Sequence, residues 1–249
     1  PDGRWIAYVT WSIDNGGQIW RMRSNGRGQP QQLTDIPAFY TDLVYSKDGR
    51  TLYAMRGNEY MRHQTFSEFG GLRVDLKLVS VSASGGKQTV IASANYARYP
   101  HFGPEADRIY MTDSGTLFST QLNGTDRREH LTVSAPRGNR GGDEPPKAEA
   151  IYISPNGHHA LAFANKQVWA IGLAKTGGQA PVVKLRGGSL PVLKLTDIGA
   201  DFSGWTNDGA SIWWAIGKSF YTRPLSSIAF RIDESNNKEP VEDSENKFV

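Results

Sequence analysis

The sequence has 249 residues, 38% hydrophobic and 21% charged, with a mean hydropathy of −0.49, a formal net charge of +3 and no cysteine. The missing cysteine excludes disulfide scaffolds, thiol catalysis and Cys-ligated metal centres, and says little about compartment. No run approaches the ~20 apolar residues that a membrane-spanning helix needs, so no membrane span is expected.

The 27 glycines, 13 prolines and 27 aromatic residues suit many short strands joined by tight turns. In chain order, the first unit opens inside a turn, Pro1-Asp2-Gly3, followed by alternating segments at 5–9, 18–22 and 32–34. The second carries Lys47-Asp48-Gly49 and segments at 52–55, 76–80 and 90–92. In the third the turn degenerates to Pro104-Glu105-Ala106-Asp107, with segments at 108–111, 116–119 and 130–132. Pro155-Asn156-Gly157 opens the fourth, with segments at 160–163, 167–171 and 182–183. Asn207-Asp208-Gly209 opens the fifth, with segments at 211–214 and 219–222.

Measured between Gly3, Gly49, Ala106, Gly157 and Gly209, the intervals are 46, 57, 51 and 52 residues. Repeats of roughly 40–50 residues, each with four short strands, are the signature of propeller blades. Four places before each internal anchor sits an aromatic or apolar residue, Tyr45, Phe102, Ile153 or Trp205, which marks an innermost strand. Asn-Gly and Gly-Gly between alternating runs supply the positive φ that hairpin turns require. One such sheet cannot bury both faces alone, so the units must pack face to face. The expected fold is an all-β propeller of four-stranded antiparallel blades. Five repeats are visible, at approximately 1–36, 37–94, 95–146, 147–197 and 198–233, and a ring of six or seven blades is expected. The first unit lacks its inner strand, which suggests a longer parent chain.

Residues 234–249 are polar and acidic and read as a linker or tail. Six acids and two lysines give residues 233–249 a charge of −4, leaving +7 on the rest. Long insertions fall at 57–72 and 134–147, where a rigid propeller would carry binding determinants.

The sequence offers no catalytic constellation. The five histidines include no His-x-His, and His158 and His159 would point to opposite faces of a strand. Ser203 lacks the Gly-x-Ser-x-Gly elbow, and phosphate-binding glycine patterns are missing. No catalytic, cofactor-binding or metal-ligating residue is therefore expected. Arg21, Arg23 and Arg27 read as a solvated strand face, and no nucleic acid is expected. One column does follow from the repeats. Eight places before the internal anchors stand Thr41, Arg98, Glu149 and Asp201, all polar. Inner strands line a propeller's channel, so these four are candidate ligand contacts at one mouth.

The run Pro1-Asp2-Gly3-Arg4-Trp5-Ile6-Ala7-Tyr8, followed by Gln18-Ile19-Trp20-Arg21-Met22 and Leu33-Thr34, resembles the WD-like repeat of TolB-type β-propellers. The resemblance extends to about residue 233. The stretches at 150–157, 165–169, 195–205 and 213–217 further resemble the propeller fused N-terminally to secreted bacterial metal-dependent amidohydrolases. The resemblance implies a non-catalytic domain for protein docking or substrate access, partnered by a protein or its own C-terminal hydrolase domain. A metal ion would belong only to that domain, outside these residues. It also implies a periplasmic or secreted location, although no signal peptide is present in this sequence. Two alternatives stay open: a stand-alone periplasmic TolB-like protein-binding propeller, and the propeller of a prolyl-oligopeptidase-type serine peptidase. An incomplete ring would favour oligomers.

Overall fold

The computed structural model describes residues 2–58, 60, 75–136, 145–173 and 179–230. These form five small antiparallel sheets, a five-bladed β-propeller with a single short 3-10 turn, Leu225–Ser227. Blade one holds β1 (Trp5–Ser12), β2 (Gly16–Arg23) and β3 (Gln31–Gln32). Blade two runs from the inner strand β4 (Phe39–Tyr45) through β5 (Thr51–Gly57) and β6 (Lys77–Ser82) to β7 (Thr89–Ser93). Blade three repeats the order with β8 (Arg98–His101), β9 (Arg108–Asp113), β10 (Thr116–Gln121) and β11 (Arg128–Ser134). Blade four comprises β12 (Ala150–Ile153), β13 (His159–Ala164), β14 (Gln167–Gly172) and β16 (Val192–Lys194). Blade five comprises β17 (Phe202–Trp205), β18 (Ser211–Ile216) and β19 (Ser219–Pro224).

The repeated turn has one chemistry. In blade four, Asn156 Oδ1 accepts the Ser154 hydroxyl (2.8 Å) and the His158 N–H (3.0 Å), and Ser154 Oγ accepts the His159 N–H (3.0 Å). Ser46 with Asp48, and Thr206 with Asp208, form the same three bonds at their turns. Gly49, Gly157 and Gly209 follow with φ of 70°, 75° and 69°, a region in which a side chain would be strained. The turn thereby satisfies its own backbone donors and fixes the register of the first two strands.

A second device joins strand three to strand four. Thr34 Oγ1 accepts the Ile19 N–H (2.9 Å), and Thr196 Oγ1 accepts the Val168 N–H (3.0 Å). Each threonine also donates to a glutamine Oε1, Gln18 at 2.5 Å and Gln167 at 2.6 Å. Both hydroxyls are buried, so the Leu-Thr pairs at 33–34 and 195–196 are structural joints.

Blades bury their faces against neighbours. Ile19 and Leu33 pack with Tyr40, Leu52 and Val79 between blades one and two. Tyr53, Met55 and Leu78 meet Ile109, Met111 and Phe118 between two and three. Tyr110, Leu117 and Leu131 meet Ala160, Ala162 and Trp169 between three and four. Leu161, Val168 and Ala170 meet Ile212 and Trp214 between four and five. Among the described residues, none of these four clusters joins blade five to blade one.

One expected strand lies elsewhere. The alternation at 182–183 predicts the outer strand of unit four, but β15 (Val182–Lys184) runs parallel to β11 on the edge of blade three. Val183 and Leu185 fill the wedge between blades three and four, and that burial outweighs pairing within their own repeat. The outer strand of blade four is β16, paired with β14 through Trp169 to Ile171. Most of the insertions at 57–72 and 134–147, and all of the acidic tail, lie outside the described residues.

The joints differ in their stakes. Replacing Thr196 by valine keeps the shape but strands the buried Val168 N–H, and should cost about 1–3 kcal/mol. Asp208→Ala, at an exposed turn, should cost about 1 kcal/mol or less. Urea denaturation of both variants measures the contrast.

Candidate functional site at the channel mouth

A cavity of about 1150 Å³ opens where inner strands and their connections converge. Arg98, Glu149 and Asp201 line it. Thr41 is not among its lining residues, but its hydroxyl donates at 2.9 Å to Asp42, which is. Blades two to five thus each contribute from an inner strand or the residue just before it.

Blades two and three present these starts through a backbone irregularity. Pairing of β4 with β5 shifts between Thr41 and Val44, and pairing of β8 with β9 shifts between Arg98 and His101. Within each shift one residue adopts the left-handed conformation, Asp42 at φ 54° and Tyr99 at φ 59°. Both stand seven places before their anchors, so the strain recurs in register. Such conformations cost of order ~1–3 kcal/mol for non-glycine residues and gather at functional sites. The bulges re-aim side chains toward the channel.

Arg98 and Asp42 form an ion pair, Nε to Oδ2 at 3.6 Å, with side chains 20% and 11% exposed. The Arg98 guanidinium also lies 4.5 Å from the centre of the Tyr99 ring. Tyr99 meets Tyr152 edge to face at 5.9 Å, and Tyr152 meets His101 at 5.2 Å. Burial, with Tyr99 beside it, holds the Tyr152 phenol well above the ordinary range, so it stays protonated. His101 fastens this wall. Its Nδ1 donates to the Tyr99 carbonyl at 2.8 Å, and its Nε2 accepts the Ile153 N–H at 3.0 Å, joining blades three and four. That pair of bonds requires the neutral ring.

On the opposite side Asp201 Oδ2 accepts the Gly217 N–H at 2.8 Å. Lys166 lies 5.6 Å from the centre of the Phe163 ring, and Lys147 packs its stem over Gly115. Phe202 and Trp213 complete an aromatic flank. The lining balances Asp42, Glu149 and Asp201 against Arg98, Lys147 and Lys166.

The repeat alignment located three lining positions but missed Asp42 and Tyr99, one place further along each inner strand. Lys147 and Lys166 were missed because they sit on connections, before β12 and between β13 and β14, and not on the inner-strand column that the repeat aligns. Among the described residues, no three His, Asp or Glu side chains converge as a metal site would need. Ser203 lies within β17, and Arg21 and Arg23 lie 4.2 and 5.0 Å from the centre of the Trp5 ring.

The sequence matches no protein-family model and no curated protein. Solved structures do match. TolB from Acinetobacter baumannii aligns with a TM-score of 0.56 at 14% identity, over 93% of this chain and 53% of that one. This chain therefore spans about half the length of that TolB. A chain of the nidogen/laminin complex aligns with a TM-score of 0.51 at 13% identity, over 90% of this chain and 73% of that one. A Bacteroides fragilis protein described as a candidate 6-phosphogluconolactonase aligns with a TM-score of 0.52 at 15% identity, over 93% and 66%. Proteins so different in description share the fold, and at these identities the likeness carries the fold alone.

The enclosed histidines make stability depend on pH. Burial lowers the His101 pKa to about 4, and burial together with Arg108 and Arg128 lowers that of His130 to about 4. In the unfolded chain both titrate near ~6.5, so below that pH the unfolded state binds protons first. Stability should be full above pH 6.5 and fall steadily toward pH 4, His101 contributing a loss on the order of 2 kcal/mol by pH 4.5. Urea titrations at pH 7, 5.5 and 4.5 should show a shallower decline for His101→Gln.

Proposed function

We propose that this chain is a non-catalytic, TolB-like β-propeller domain whose channel mouth is its recognition surface, serving docking or substrate access within a larger amidohydrolase-type protein. The mouth cavity carries the reading. It combines in-register strained backbone, a sheltered Arg98–Asp42 pair and unburied charges of both signs on an aromatic wall. Strain retained at matching positions of two blades is of the kind that places side chains at functional sites. The mixed charge suits a protein or substrate surface bearing both signs, recognised by complementarity at the rim. The resemblance of the repeat to TolB-type propellers supports an exported, periplasmic or secreted location. The stand-alone protein-binding propeller would use the same mouth, as would the propeller of a serine peptidase.

Three experiments test this. Sequencing the gene past Val249 should reveal a hydrolase domain with His-x-His. Gly-x-Ser-x-Gly would instead establish the peptidase reading, and an immediate stop codon the stand-alone protein. Purified 1–249 should hydrolyse no amide substrate, and measurable amidase activity would overturn the non-catalytic assignment. Glu149→Ala and Lys166→Ala, both at exposed positions, should each change stability by no more than ~0.5 kcal/mol. In the parent protein each should lower kcat/KM for large substrates several-fold while sparing the smallest ones.

A further inference from the structure

The charges at the channel mouth follow an order. On the side of blades two and three, Arg98 and Asp42 neutralise one another. From there to blade five the lining runs Lys147, Glu149, Lys166, Asp201, alternating in sign. All four side chains are exposed, and among the described residues no ion pair joins any of them.

Backbone holds each of the four in place. The Lys147 stem lies over Gly115 in the β9–β10 hairpin, where φ is 77° and any side chain would collide with it. The Glu149 N–H donates to the Phe163 carbonyl at 2.8 Å. Asn165 and Lys166 make the β13–β14 hairpin with φ of 54° and 62°, whereas the matching β9–β10 turn is Ser114-Gly115. Glycine is the favoured second residue of such a turn, so blade four carries a strained lysine where blade three has none. The Lys166 carbonyl accepts the Ala200 N–H at 2.9 Å, which sets this hairpin against the segment leading into Asp201.

The two ends of the arc differ in kind. At blade five, Asp201 Oδ2 is taken by the Gly217 N–H, while Oδ1 has no partner among the described residues. Phe202 and Trp213 line the same flank, and a carboxylate beside aromatic faces suits an ammonium group. At blade three the acid, Asp42, is already paired with Arg98, so Lys147 stands as a free cation suited to a carboxylate. Between the ends, Glu149 and Lys166 offset one another. The middle also holds Ser203, only 9% exposed, and Tyr152; neither hydroxyl has a hydrogen-bond partner among the described residues. An anionic ligand would meet Glu149 and Asp201, and a cationic one Lys147 and Lys166. A neutral ligand would strip water from all four charges and return nothing.

We propose that the mouth binds a short peptide with both termini free, its ammonium at Asp201 and the aromatic flank, its carboxylate at Lys147, and its peptide groups at Ser203 and Tyr152. This rests on the reading of the mouth as the recognition surface and names the ligand it takes. The cavity, at about 1150 Å³, exceeds the ~300–1,000 Å³ of pockets for drug-sized molecules and accommodates several residues.

Isothermal titration calorimetry of the full chain at low ionic strength tests the proposal. The probes are a free tetrapeptide of three alanines and one phenylalanine, its N-acetyl form and its C-amide. Each cap should weaken binding by at least about five-fold, since charges at a partly enclosed mouth are less screened than on open surface. Asp201→Asn keeps the acceptor for Gly217 and should abolish the effect of acetylation while sparing that of amidation. Lys147→Met should do the reverse. A merely structural role for either residue would not couple it to one terminus of the ligand. Equal binding of free and capped peptides, or no binding of any, would overturn the assignment of the ligand and leave the mouth's role to the kcat/KM test of Glu149→Ala and Lys166→Ala. Full sensitivity to both caps in both variants would put the peptide elsewhere on the molecule and overturn both readings.

Discussion

A short antiparallel sheet with apolar side chains on both faces cannot be stable in water by itself, and everything else in this molecule follows from that constraint. The central strands β9 and β13 read as nearly continuous buried runs, RIYMTD and HALAFA. Each needs a neighbour on both sides, which a radial stack of sheets supplies. The hydrophobic clusters accordingly lie between blades, each drawing residues from two. Hydrogen bonding serves this packing. The Ser/Thr-x-Asp/Asn-Gly turns and the buried Thr34 and Thr196 hydroxyls hold strands in the register that points the right row at the right neighbour. A one-residue slip would exchange the two faces of a strand.

Radial packing also creates the channel mouth. Inner strands meet near the axis, where they are short and their first residues lie beyond the cores. Polar side chains therefore collect there without penalty, as Arg98, Glu149 and Asp201 do. Blades two and three add a bulge whose left-handed residues turn Asp42 and Tyr99 into the same space. His101 ties this strained segment to blade four through bonds that only its neutral ring can make, so the mouth is supported by the interface beneath it.

Much of this was legible in the sequence because the turn motif is local chemistry repeated in register. Gly49, Gly157 and Gly209 mark the turns, and counting from them located the strands and three of the cavity's lining residues. What stayed hidden depends on contacts between repeats. Val182 and Val183 alternate as a strand should, but nothing local says that the better partner is β11 of the preceding blade. The strain at Asp42 and Tyr99 is equally invisible, since neither residue type announces a positive φ. In blade three the buried Arg108 donates to Ser119 and Asp126, and only the fold brings those residues together.

The central claim is that stability resides between blades, and native-state hydrogen exchange tests it most directly. Amides of β9, β10, β13 and β14, enclosed on both faces, should exchange only through global unfolding, while those of β1 and β19, each with one face bared, should exchange through far cheaper local opening. Protection of β1 and β19 equal to that of β13 would contradict the account, because it would mean that the end faces are covered or that each sheet is stable without its neighbours.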